Sequence, residues 1–169
     1  IVVINSCFGS MVNDTLGRFI SAMLTSRIGS VGLKTDAYRI MLQMQQKNLE
    51  LVKDALLSTN PDHLRSYLEL SVSKSDLFQY RFVHVAKRFG AFSRDAQIGR
   101  TRLRSVIDDY VGTPVYREVM NEIDTEKLDI EKATEVLRDI QSGKIKIHFR
   151  SGLSPIGKIG VKQKYSEVI

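Results

Sequence analysis

Four groups of residues have types and spacings that could do chemistry. Gly29-Ser30-Val31-Gly32-Leu33-Lys34-Thr35 resembles a phosphate-binding loop, but Leu33 separates the glycine from the lysine. The following residues alternate like a strand, so no helix N-terminus is available there to hold a phosphate. Asp108 and Asp109 are adjacent carboxylates, yet neighbours on a helix point about 100° apart and read as a solvated face. Cys7 and His84 are a nucleophile and a base in type only; beside Phe8, Cys7 reads as a small core residue. No catalytic set is assembled, and the chain is expected not to be an enzyme on its own.

The fourth group is basic. The 169 residues carry a net charge of +6, and residues 77–104 hold seven basic side chains against one acidic. Residues 105–140 follow with ten acidic against four basic, and 141–169 with six basic against one acidic. Arg81, His84 and Arg88 fall at i, i+3 and i+7, a stripe beside the apolar one formed by Phe78, Phe82, Val85 and Phe89. Lys87, Arg94, Arg100, Arg102 and Arg104 extend it, and arginine forks suit phosphate oxygens. Tyr80 and Phe92 lie in the same run and could stack on bases, Phe92 alternatively serving the core. Salt-dependent binding of single-stranded or duplex nucleic acid is the expectation. The competing reading is that Arg100 to Arg104 pair with the acidic segment instead. Lys144, Lys146 and Arg150 form a secondary basic patch, continued by Lys158, Lys162 and Lys164.

These side chains need a scaffold, and 43% apolar residues provide a core for one domain. Ile1-Val2-Val3-Ile4 reads as a buried strand. Asn13 or Asp14 can cap a helix carrying Leu16, Phe19, Ile20, Met23 and Leu24, which Gly29 ends. Strands over Val31–Lys34 and Tyr38–Met44 follow, the latter alternating; its Met41 and Met44 read as packing. Helical spacing then runs from Leu49 through Leu57, past Asn60-Pro61-Asp62 to Leu64, Tyr67, Leu68 and Leu70. Further helices start at Ser75-Asp76, after Gly99, at Pro114 and after Asp129, the last ending at Gly143. Lys144-Ile145-Lys146-Ile147-His148-Phe149-Arg150 alternates polar and apolar residues, a strand pattern.

The predicted class is α+β: an N-terminal β-α-β part (1–48), a central helical bundle (49–142) and a C-terminal strand (143–150) returning to a small sheet. Together these make one domain over 1–150, with 151–169 an extended basic tail. One cysteine and three histidines provide neither a disulfide framework nor an internal His/Cys zinc site, and no metal is expected. No apolar run approaches the roughly 20 residues of a membrane span, so no membrane contact and a reducing, cytoplasmic setting are expected. A chain opening inside a strand, without an initiator methionine, suggests a piece of something longer.

Cys7-Phe8-Gly9 through Val12-Asn13-Asp14-Thr15-Leu16-Gly17-Arg18 is followed in order by four further motifs. These are Lys34-Thr35-Asp36-Ala37-Tyr38-Arg39-Ile40, Leu77 through Gly90, Gly112-Thr113-Pro114-Val115-Tyr116-Arg117-Glu118 and Leu153-Ser154-Pro155-Ile156. That succession resembles the C-terminal part of superfamily 2 helicases of the large-helicase-related (Lhr) type and their archaeal relatives. The pattern from Phe78 to Arg88, F-x-x-R-F-x-H-x-A-x-R, is its most specific element. The resemblance implies an accessory domain, placed after two motor domains and a winged helix, that contacts the tracking strand of an ATP-dependent 3′-to-5′ helicase acting on DNA or RNA–DNA duplexes. ATP and magnesium would belong to the parent, since no motor motif occurs here and this chain needs no cofactor. The chain departs from some relatives in having no tryptophan. A stacking role must fall to Tyr38, Tyr80 or another ring, or be absent.

Overall fold

The computed structural model describes residues 1–45, 48–155, 157–159 and 161; the side chains of Arg100 and Thr101 lie outside that description. Strand β1 (Val2–Asn5) leads into helix α1 (Ser10–Ile28), followed by β2 (Gly32–Thr35) and β3 (Arg39–Gln43). Six helices complete the order: α2 (Leu49–Leu57), α3 (Leu64–Ser73), α4 (Asp76–Arg88), α5 (Arg100–Asp109), α6 (Pro114–Lys127) and α7 (Ile130–Gln141). The α+β class holds, with strands first and helices after.

The sheet order is β1-β3-β2 and both pairings are antiparallel. β3 is therefore central, and four of its five residues are buried, Arg39 and Met41 included. Helix α1 covers the face carrying Leu33, Thr35 and Ile40. It approaches closely at Gly17, where a Cβ would lie 2.9 Å from both Leu33 and Thr35 methyl carbons, so only glycine fits without displacement. Around α1 the core gathers Phe19, Ile20, Leu24, Leu64, Leu68 and Leu137, all essentially inaccessible to water. A second centre is aromatic: Phe82 meets Phe92 at 5.9 Å and Tyr110 at 5.4 Å, while Phe78 meets Tyr116 at 4.9 Å. It fastens α4 to α5, α6 and the loop between, so Phe92 belongs to the core.

Several helix starts follow the capping chemistry. Ser75, Thr113 and Asp129 each accept a backbone N–H of the following first turn, and Pro114 opens α6. Helix α1 differs: it starts at Ser10 after Gly9, whose φ of 91° suits glycine, and neither Asn13 nor Asp14 caps it. Phe89 and Leu70, expected on apolar stripes, are exposed; Phe89 sits one residue beyond the end of α4, where the helical face no longer aims inward.

The expected C-terminal strand is not formed. Residues 144–150 join no ladder, because Asp139 holds the start of this segment to the end of α7: its carbonyl accepts from Ile145 N–H (2.9 Å) and its carboxylate from Lys144 (2.8 Å). Only Ile145 and Ile147 lean on the core. Nor is the tail extended throughout, since the described residues of 155–161 are helical and Gly157 packs near Val3 on the sheet face away from α1. Lys162 and Lys164 lie outside the described residues. Among the described residues no helix is long and apolar enough to cross a membrane.

Candidate nucleic-acid interface

The stripe on α4 divides in two according to its partners. Arg81 and Arg88 reach across to α6: Arg81 donates to Glu122 (3.3 Å) and Glu126 (2.5 Å), and Arg88 to the other oxygen of Glu122. The four charges form an interhelical clamp, with the Arg81 and Glu122 side chains only 20% and 16% exposed. A carboxylate between two guanidiniums is favoured in its charged form. The Arg88 hydrogen bond, then its charge and those of Arg81, outweigh partial burial and hold Glu122 below the usual carboxylate range. Glu126 and Glu122 likewise raise Arg81 above its ordinary value. Internal pairing is thus real, but it engages Arg81 and Arg88 rather than the arginines of α5.

A pH dependence follows. Glu122 has a lower pKa folded than unfolded, so its contribution is complete above the unfolded value of about 4.3 and is lost as pH falls through the folded value. Glu122→Gln is expected to cost about 1–3 kcal/mol at pH 7. The gap between variant and parent should close between about pH 5 and pH 3. Urea melts across that range measure it; a gap independent of pH would contradict the clamp.

The remaining described candidates of residues 77–104 have no acidic partner among the described residues. Tyr80, 66% exposed, packs its ring edge-on against exposed His84 at 4.5 Å. Lys87 donates to the Arg94 carbonyl (2.8 Å), drawing the 89–99 loop to the end of α4 and leaving the exposed Arg94 side chain to solvent. On α5, Leu103 and Ile107 face the core while Arg102 and Arg104 are exposed. The Arg100 side chain lies outside the described residues. In the secondary patch Lys144 pairs with Asp139, whereas Lys146 and Arg150 are exposed. Asp108 and Asp109 are both exposed on α5, and Cys7 is exposed and far in sequence from His84, with no contact between them among the described residues.

One polar centre was not singled out by sequence reasoning. Fully buried Asn13 donates to the carbonyls of Ser6 (2.7 Å) and Asp36 (2.8 Å). Asp14 accepts from Thr35 (3.1 Å) and Arg18 (2.8 Å), and Asp36 accepts from Tyr38 N–H and Arg39. These bonds weld the loop before α1 to the β2–β3 turn, presenting Phe8, Met11 and Tyr38 to solvent. The available signal was Asn13, a polar residue within a helical apolar period.

The order of these elements matches known proteins. The family model described as DEAD/H associated matches residues 1–157. The chain belongs to this family. Among curated relatives it is 26% identical over 163 residues to the ATP-dependent helicase Lhr-Core protein 2 of Thermococcus barophilus, covering 89% of this chain and 19% of that one. It is 24% identical over 162 residues to the ATP-dependent helicase Lhr-Core of Methanothermobacter thermautotrophicus, covering 86% and 18%. The solved structure of Mycobacterium smegmatis helicase Lhr bound to ssDNA and AMP-PNP shares the fold: TM-score 0.71 at 18% identity, over 92% of this chain and 21% of that one. The Lhr resemblance read from the motifs is thereby shown. This DEAD/H-associated chain spans about a fifth of the length of each of these relatives.

Proposed function

We propose that this DEAD/H-associated domain grips a nucleic-acid strand for an ATP-dependent helicase of which it forms one part. The observation that carries the proposal is the band of cations, half-buried Lys87 with exposed Arg94, Arg102 and Arg104, that have no acidic partner among the described residues while Arg81 and Arg88 are paired internally. Unpaired guanidiniums on α5 and the loop before it are suited to backbone phosphates, which carry charge but no sequence. Tyr80 with His84 offers an adjacent stacking surface. Arg81 and Arg88 hold α4 against α6 and so position the band. Holding one strand while the motor domains step would convert translocation into separation. ATP and magnesium would be bound by those motor domains, with no residue of this chain assigned to them.

Four phosphate contacts predict a salt slope of about −2.8 for a single strand, hence roughly 50-fold weaker binding at 200 mM salt than at 50 mM. Absolute affinity should lie in the non-specific range of about 10⁻⁴ to 10⁻⁶ M. Anisotropy titration of a labelled single strand reads both; absent binding, or binding indifferent to salt, would sink the reading. The internal Arg81–Glu122–Arg88 clamp favours a second reading, in which the helix pair is a docking module toward the rest of the helicase. That reading predicts no loss of strand affinity from changes at Arg102 and Arg104.

A further inference from the structure

Among the described residues β1 pairs with β3 on one side only, so its other edge presents unpaired backbone donors and acceptors. Edges of this kind are usually blunted by charge, proline or a covering segment, and Val2-Val3-Ile4-Asn5 has neither charge nor proline. The covering segment, residues 145–155, passes this edge without touching its backbone polar groups: among the described residues no backbone hydrogen bond joins the two. The segment is fastened at both ends. Asp139 holds Lys144 and Ile145, and at the far end Ser154 Oγ accepts from Asn5 (3.3 Å) and from Gly157 N–H (3.1 Å). Midway, the Lys53 ammonium stands 5.8 Å from the centre of the Phe149 ring. Between strap and strand lies a groove of about 860 Å³, walled by Ile4, Ile20, Val52, Leu56, Ile140 and Ile147.

The groove's chemistry narrows its occupant. A strand edge recognises another extended backbone through main-chain hydrogen bonds, and pockets beside it take alternate side chains. The walls are aliphatic and unsuited to phosphates. The rim is cationic at Lys146 and Arg150: with His148 between them they are exposed, alternate with Ile145, Ile147 and Phe149, and have no acidic partner among the described residues. We propose that this groove docks an extended segment of a partner protein, in which apolar residues alternate with acidic ones. The guest adds a strand to the outer edge of β1, its apolar side chains entering the groove and its carboxylates meeting Lys146 and Arg150.

The test uses a labelled peptide of about ten residues alternating Val or Ile with Glu, matched against a version with Lys for Glu and one with proline at alternate positions. Binding of the acidic peptide to this chain is expected, with new amide-exchange protection on β1. The lysine version and the protein variant Lys146→Glu/Arg150→Glu should each bind about tenfold more weakly, and the proline version not at all. The thermal midpoint of that variant should be unchanged, since neither side chain has a partner to lose. The proposal is overturned if no peptide binds, or if binding ignores both the charge and the proline changes. It is equally overturned if β1 and 145–149 are mutually protected without peptide, meaning the strap closes by itself, or if sedimentation shows a dimer protecting β1. Peptide binding to this chain that vanishes in the parent helicase would mean the parent fills the groove, which also overturns it.

Discussion

Reversing Arg102 and Arg104 together to glutamate is expected to weaken single-strand binding by about 30-fold at 50 mM salt, each charge-assisted phosphate contact being worth about 1–1.5 kcal/mol. The salt slope should flatten from about −2.8 to about −1.4, because two fewer phosphates are neutralised. Stability should hardly change, since both side chains are exposed and leave no ion pair behind among the described residues. The contrast is with Arg81→Gln/Arg88→Gln. Those side chains are already paired with Glu122 and Glu126, so their loss should lower the melting midpoint and leave the slope near its parent value. Measured together, the two double variants separate gripping from scaffolding. Equal loss of affinity in both, without unfolding, would return Arg81 and Arg88 to the strand and void the division made here. No loss in Arg102→Glu/Arg104→Glu would favour the docking module.

What the sequence disclosed about these arginines was their type and local spacing. Arg81 and Arg88 sit on one helical face, but their partners lie 34 to 45 residues onward on another helix. Spacing within α4 carries no record of which helix packs against it. The acidic excess of residues 105–140 did signal a counter-charge, and only its assignment went to the wrong arginines. Helices were legible because capping residues and apolar periods are local: Ser75, Thr113, Pro114 and Asp129 stand where the chain enters each one. The strand expected over 144–150 failed for the opposite reason. Alternation states that one face is apolar, and it was correct that Ile145 and Ile147 point inward, but pairing requires an edge within reach and Asp139 keeps the segment away. The same alternation leaves Lys146 and Arg150 outward as the rim of the groove.

Asn13 illustrates the other limit of local reading. Near a helix start, asparagine is taken for a cap, because its short side chain competes well for the first amides. Here α1 begins at Ser10 after Gly9, and Asn13 lies inside it with its amide aimed at two loop carbonyls. Asn13→Ala is therefore expected to cost about 2–6 kcal/mol, each carbonyl left without its donor contributing about 1–3. Asn13→Asp separates donation from mere size. A carboxylate cannot donate, and it would face the carbonyl oxygens of Ser6 and Asp36 with the carboxylates of Asp14 and Asp36 nearby, so it should destabilise more than alanine at pH 7. Its folded pKa must then lie above the unfolded value of about 3.9. The penalty is complete above the folded pKa and recedes as pH falls through it, since the protonated acid regains one donor. Asn13→Asp should thus grow more stable relative to Asn13→Ala between about pH 7 and pH 4. Urea melts of both variants check the sign; a difference constant with pH would show that space, and not hydrogen-bond donation, is what Asn13 supplies. The consequence reaches function through position: this side chain sets the loop carrying Phe8 against the turn carrying Tyr38, and its loss should release both rings before the rest of the fold gives way.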